Sequence, residues 1–152
     1  MKPTRLFDFI DHQNEHAPLE KAFTTKYNGV WESLNTQQFC DQAHQISRAL
    51  LTLGIESQDK IAMISSTNRT EWNLIDVGLL AIGAVNVPIY PTISSEDYEY
   101  ILNHSESQYC FVSDQEVYDK IVTIKDKVKS LKKIYSFDTI KGCPNWKELL
   151  EM

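Results

Sequence analysis

Four short apolar runs, at residues 61–64, 85–89, 109–112 and 134–137, begin 24 or 25 residues apart, and this spacing constrains the chain more than any other feature. Each gap carries a helical pattern of apolar residues, over 71–83, 95–103 and 114–128. A hairpin connection needs only a few residues, whereas a helical crossover between parallel strands needs a dozen or more. The pattern therefore reads βαβαβαβ. Such units join by right-handed crossovers and place their helices on both faces of one sheet. We expect an α/β fold with an open, mostly parallel sheet, whose short strands are apolar on both sides because both faces are covered. In the last helical stretch Val117, Ile121, Ile124, Val128 and Leu131 share one face. No residue-level repeat accompanies the period, so it is a structural unit length and not a solenoid.

Upstream the signals change. A short helix is predicted over residues 4–14, followed by an antiparallel hairpin pairing 21–26 with 30–34 around Asn28-Gly29, a dipeptide that tolerates the positive φ of a two-residue turn. Asn35 with Gln38 forms a capping signature, and Phe39, Ala43, Ile46, Leu50 and Leu53 follow at helical steps until Gly54 stops the helix. The expected organisation is one α/β domain over 1–152, with the helix and hairpin in 1–34 and the βαβ units in 35–152. Gly78 and Gly83 are expected to let a buried helix approach the sheet closely.

Composition narrows the function classes. With 152 residues and 42% hydrophobic content the chain can bury a core of ordinary size, as a water-soluble globular protein does. Lys and Arg number 15 against 21 Asp and Glu, a formal net charge of −6, and basic residues concentrate only over 125–133, so nucleic acid is not an expected partner. Three cysteines, Cys40, Cys110 and Cys143, form an odd set without CxxC spacing and read as reduced thiols. The amino terminus lacks an apolar run of signal-peptide length. The most apolar stretch, 74–87, is broken by Asp76, Gly78, Gly83 and Asn86, so neither secretion nor a membrane span is expected and the location reads as cytoplasmic. The sequons at Asn68 and Asn103 should accordingly stay unmodified.

Open parallel sheets bind ligands at the carboxyl ends of their strands. The first such loop, Ser65-Ser66-Thr67-Asn68-Arg69, offers hydroxyls and amides ahead of a helix, an arrangement able to hold an anion or simply to cap the helix. Neither GxGxxG nor GxxxxGK[ST] occurs. The second loop, Tyr90-Pro91-Thr92-Ile93-Ser94, is stiffened by Pro88 and Pro91 and is either a wall of a ligand site or a plain connection capped by Ser94. His12-Gln13-Asn14-Glu15-His16 spells the HxxEH of a zinc peptidase class, but Ala17-Pro18 stops the helix and no third ligand is evident, so no metal is expected. His44 and His104 fall on polar helix faces. Residue chemistry alone thus gives an α/β domain without a complete active site.

One run adds to this. Asn68-Arg69-Thr70-Glu71-Trp72, continued through Leu79-Leu80-Ala81-Ile82-Gly83-Ala84-Val85-Asn86-Val87-Pro88-Ile89-Tyr90-Pro91-Thr92, resembles the early core of the acyl-activating, AMP-forming enzymes, and within them the long-chain fatty acid-CoA ligases. Trp31-Glu32-Ser33-Leu34, Leu53-Gly54-Ile55 and Tyr100-Ile101-Leu102-Asn103-His104-Ser105-Glu106 extend the likeness over nearly the whole chain.

The resemblance implies that a longer parent enzyme uses ATP, Mg²⁺ and CoA to convert a fatty acid to acyl-adenylate and then to acyl-CoA. The family's phosphate loop, nucleotide motifs and catalytic lysine have no counterpart here. The chain therefore resembles an N-terminal segment, expected to be inactive alone and to bind none of these ligands tightly, with the rest of the enzyme as its principal partner. The resemblance places Tyr90, Pro91 and Thr92 near the side from which CoA approaches, while Arg69 anchors its loop and Trp72 packs its helix on the sheet. It also allows loose membrane attachment of the parent. A non-catalytic interaction or dimerisation domain, with self-association of the segment, and a flavodoxin-like binding module are the alternatives. If a covering half is missing, the carboxyl-end face of the sheet should be unusually apolar or disordered.

Overall fold

Helix α1 (Asp8–His16) leads into strands β1 (Phe23–Tyr27) and β2 (Val30–Leu34), which pair antiparallel in the computed structural model; it describes residues 2–152. Asn28 and Gly29 turn this hairpin with φ of 48° and 86°, the conformation the dipeptide predicts. Helix α2 (Thr36–Thr52) starts at a complete capping box, in which Asn35 accepts from the Gln38 amide while the Gln38 side chain accepts from the Asn35 amide.

Beyond Gly54 the chain alternates as β3 (Lys60–Ile64), α3 (Thr70–Ile82), β4 (Val85–Ile89), α4 (Ser95–Ser105), β5 (Tyr109–Val112), α5 (Gln115–Ile124) and β6 (Lys133–Ser136). The four strands form one sheet in the order β4-β3-β5-β6, and every neighbouring pair is parallel. Side chains alternate across it, so each strand feeds two cores. Ile61, Met63, Tyr109, Phe111 and Tyr135 pack with Phe39, Ile46 and Leu50 of α2 and with Leu74, Ile75 and Leu79 of α3. Ala62, Ile64, Cys110, Val112 and Ile134 pack with Tyr98 and Leu102 of α4 and with Val117, Ile121 and Ile124 of α5. The expected layering of helices on both faces is thereby formed.

Several expectations shift. The first helix runs over Asp8–His16 rather than 4–14, because the Asp8 carboxylate accepts from the Thr4 and Arg5 amides and turns the preceding residues into a separate loop. The helix expected over 114–128 ends at Ile124 and tightens into a 3₁₀ turn, Lys125–Lys127, though Val128 and Leu131 still reach the same core. Strand β4 is not buried on both sides: it is one edge of the sheet, and Val85 and Pro88 are exposed, with Pro88 tolerated there because an edge strand needs one fewer donor row. Gly78 meets a helix and not the sheet. A Cβ there would stand 2.7 Å from Ile46 Cγ2, so the glycine lets α3 close onto α2. Gly83 instead ends α3 in the left-handed conformation, φ 75°.

A second 3₁₀ segment, Trp146–Glu151, has no counterpart in the expected pattern. Asn145 caps it, Ser136 bridges to Asn145 beside β6, and Leu149 is buried against the α2 side of the core. The Gln45 side chain of α2 donates to the Leu150 carbonyl, fastening this segment across 105 residues of sequence.

Candidate functional site

Strand β3 is followed by a helix on one face of the sheet, and its neighbour β5 by a helix on the other; at this switch point the loop after β3 and the first turn of α3 form a crevice. Ser65, Thr67, Asn68, Arg69, Trp72 and Asn73 line it. Arg69, the residue before α3, is 9% exposed. Its Nη1 donates to Asp138 Oδ1 at 2.7 Å and to the Ser113 carbonyl at 3.2 Å, and its Nη2 donates to Glu71 Oε1 at 2.8 Å. The guanidinium also lies 5.5 Å from the ring centres of both Tyr27 and Phe137.

Glu71 is held from a second side by the Tyr27 hydroxyl, which donates to Oε2 at 2.6 Å. Burial, then that hydrogen bond to a carboxylate, pushes the Tyr27 phenol up to about 12. Beside it the Thr70 amide donates to Thr25 Oγ1 at 2.9 Å. Arg69 thus ties the hairpin, the start of α3 and the carboxyl ends of β5 and β6 into one cluster. It anchors its loop as the sequence suggests, but its partners Tyr27 and Asp138 are 42 and 69 residues away in sequence, and nothing local signals them.

Beside the crevice the two loops are joined: the Ser66 amide donates to Ser113 Oγ at 2.9 Å, and that hydroxyl donates to Asp114 Oδ2 at 2.6 Å. Asp114 Oδ1 caps α5 by accepting from the Val117 amide. Burial alone would raise the Asp114 carboxyl, but bonds from the Ser113 and Ser66 side and from the Val117 and Glu116 amides outweigh it and hold it below the ordinary 3.8. A depressed carboxyl contributes stability that is present above 3.8 and is lost as pH falls through its lower folded value. Urea denaturation between about pH 5 and pH 2 should therefore show Asp114→Asn losing less stability on acidification than the parent. Equal losses would mean that Asp114 is not a stabilising carboxylate.

The Tyr90-Pro91-Thr92 loop leaves the end of β4. Its backbone is pinned from beneath: the buried Tyr98 hydroxyl donates to the Tyr90 carbonyl at 3.0 Å, and Lys120 Nζ of α5 reaches the Pro91 carbonyl at 3.4 Å. The Tyr90 side chain is 80% exposed, Thr92 is exposed and Pro91 is half-buried. Trp72 is half-buried, touching the core on one side and the crevice on the other.

The carboxyl ends of the strands thus form a hydrogen-bonded polar rim, not the apolar face expected of an uncovered sheet. Serines, Arg69 and three carboxylates occupy it, and Tyr90 is the exposed aromatic beside them.

The remaining candidates stay apart from this crevice. His12 and His16 stack at 4.2 Å on α1, and His16 Nδ1 lies 2.9 Å from the His12 carbonyl. His44 pairs with Asp11, and His104 stacks on Tyr100. Among the described residues no three His, Cys, Asp or Glu side chains converge as a metal site would require. No helix among them is long and apolar enough to cross a membrane.

Comparison with known proteins gives this geometry a setting. The model of the AMP-binding enzyme family matches residues 10–149. Long-chain-fatty-acid–CoA ligase FadD15 of Mycobacterium bovis is 30% identical over 107 residues, which is 70% of this chain and 18% of that protein. Fatty acyl-CoA synthetase A of Dictyostelium discoideum is 32% identical over 112 residues, 74% of this chain and 16% of that one. Among solved structures, the anthranilate CoA ligase AuaEII in complex with anthranoyl-AMP superposes with a TM-score of 0.80 at 20% identity, covering 97% of this chain and 28% of its own. The coronafacic acid ligase of Pectobacterium brasiliense gives 0.75 at 20% identity, covering 98% and 30%. Those two likenesses show the fold. This chain spans about a fifth of the length of the curated relatives it matches.

Proposed function

Since this chain belongs to the AMP-binding enzyme family, we propose that it is the amino-terminal scaffold segment of a long-chain fatty acid-CoA ligase, cytoplasmic, whose whole polypeptide activates a fatty acid with ATP and passes it to CoA. The segment alone is inactive. The observation that carries this second statement is the state of Arg69. Among the described residues it is the one cation lining the crevice, and Glu71 and Asp138 already take its charge. A triphosphate approaching these loops would meet carboxylates and no free cation, and the three carboxylates are engaged by arginine, tyrosine, serine or backbone groups. The residues here therefore do not fit a magnesium–nucleotide complex, and the chemistry that needs charge neutralisation belongs to the rest of the ligase.

Within that reading Tyr90, Pro91 and Thr92 face the approaching CoA. The loop suits the role because its backbone is fixed by Tyr98 and Lys120 while the Tyr90 ring stays free to contact a ligand.

A chimera tests the proposal. The 107-residue stretch of this chain that matches the Mycobacterium bovis ligase replaces its counterpart in that enzyme, and acyl-CoA formation from a long-chain fatty acid is followed. The chimera should be active and the 152-residue chain alone should form no acyl-CoA. Tyr90→Ala in the chimera should raise KM for CoA several-fold, about 1 kcal/mol of lost contact, with adenylate formation unchanged. Acyl-CoA made by the isolated chain, or a folded chimera without activity, would refute the reading.

Self-association is a second reading, favoured by β2, the free edge of the hairpin, where Trp31 is 67% exposed and Val30 stands beside it. Sedimentation velocity across a concentration series decides it.

A further inference from the structure

The formal charge of −6, which speaks against a nucleic-acid partner, averages over a surface whose charge is segregated. Residues 125–133 hold five lysines and one aspartate, while the other 143 residues hold ten basic side chains against twenty acidic ones. Lys125, Lys127, Lys129, Lys132 and Lys133 are all exposed, running from the 3₁₀ turn after α5 to the start of β6. Helix α4 lies against this run: the Asn103 side chain donates to the Lys127 carbonyl at 3.3 Å, and Lys127 Nζ pairs with Glu99 at 3.2 Å. The next residue in each case, Tyr100 and His104, turns outward. Their rings stack with centres 5.7 Å apart and planes 9° from parallel, and both are exposed, Tyr100 to 67%. A groove lined by Asn103, Glu106, Gln108, Lys129, Ser130 and Lys132 runs from the end of α4 to the lysines. In it Ser130 Oγ has no hydrogen-bond partner among the described residues.

We infer that this face binds single-stranded RNA. Holding a single strand without sequence preference takes cations that track its phosphates and exposed rings on which its bases lie flat. Both occur here, on neighbouring residues. All five cations are lysine, point charges suited to backbone phosphates, and none is an arginine whose fork would read a base edge. Tyr100 and His104 already stand nearly parallel, so a base laid on the outer face of either ring extends the stack. Ser130, half-buried between the rings and the lysines, offers its unpartnered hydroxyl to a ribose 2′-hydroxyl, the group that DNA lacks. The acids of this face are Glu99, Glu106 and Asp126, which the lysines outnumber, and Glu99 is already paired. A lipid surface or an acidic peptide would answer the lysines alone and leave the stacked rings without a role. Because the sheet is parallel, this face sits at its amino-terminal edge, at the opposite end from the crevice and the Tyr90 loop. The inference therefore goes beyond the ligase reading and stands or falls separately from it.

The test is fluorescence anisotropy of a labelled, unstructured RNA of about 12 nucleotides titrated with the 152-residue chain. Binding should have a Kd on the order of 10 μM at about 50 mM salt, and log K should fall against log salt with a slope of about −2 to −3. Lys125→Gln and Lys129→Gln should each make that slope shallower by about 0.7. Tyr100→Ala should weaken binding about tenfold at every salt concentration with the slope unchanged, and Tyr100→Phe should keep the parent affinity. Lys2→Gln combined with Lys21→Gln removes as much charge elsewhere as the two lysine variants together and should leave binding intact. Circular dichroism of each variant establishes that it is folded. DNA of the same sequence should bind several-fold more weakly. The inference is overturned if no RNA is bound at low salt, if Tyr100→Ala binds as the parent does, or if the DNA binds equally. It is overturned as well if polyglutamate or phosphatidylserine vesicles compete as effectively as unlabelled RNA, the result expected of a surface for an acidic protein or a membrane.

Discussion

Replacing Arg69 with methionine is expected to destabilise the protein by about 3–5 kcal/mol, read from urea denaturation followed by circular dichroism. The methionine fills much of the same volume, so the loss is electrostatic. Glu71, itself buried, would be left as a carboxylate with only the Tyr27 hydroxyl to satisfy it, while Asp138 at the rim would turn to solvent. The second arm of the experiment separates this cause from lost packing. Adding Glu71→Gln removes the stranded charge, so the double variant should be clearly more stable than the sum of the two single losses predicts. Simple additivity would mean that Arg69 acts through its ring contacts with Tyr27 and Phe137 and not through the ion pair.

Phe111→Ala should have a comparable effect, about 3–5 kcal/mol, for a wholly different reason. Phe111 is fully buried in β5, an inner strand of the sheet, with the Tyr135 ring 5.5 Å away and the Phe137 ring 6.3 Å away. Tyr135 pairs with Phe111 across the ladder and the Phe137 amide donates to the Val112 carbonyl, so the backbones carrying these two rings are fixed and cannot collapse into the space left behind. Phe111→Leu retains most of the volume and should lose far less, about 1 kcal/mol. If both variants lose the same amount, ring stacking and not cavity formation governs this layer.

The sequence discloses the frame of this protein because the frame is periodic. Each buried strand is a short apolar run and each helix carries its own stripe, as in Phe39, Ala43, Ile46 and Leu50 of α2, so local spacing is enough to order them. The edge strand β4 escapes that logic: Val85, Val87 and Ile89 look like a buried run, yet β4 is an uncovered edge and Val85 and Pro88 meet solvent, whereas β6 at the other edge is buried beside Asn145. The crevice escapes it more completely. Ser65 to Arg69 reads as a cap or an anion loop, and both readings miss that Arg69 is held by Glu71 and Asp138, because the second partner arrives from the far end of β6. The terminal 3₁₀ segment is invisible for a related reason. Six residues are too few to show a period, and its contact with α2 spans almost the full chain.

That last contact sets a condition on how the protein comes into being. A ribosome delivers α2 early, yet the apolar surface which Trp146 and Leu149 help to cover must wait until about a hundred further residues have emerged, several seconds at ordinary elongation rates. During that interval the nascent chain presents an open seam on one face of α2, and its closure marks the moment at which this region becomes native.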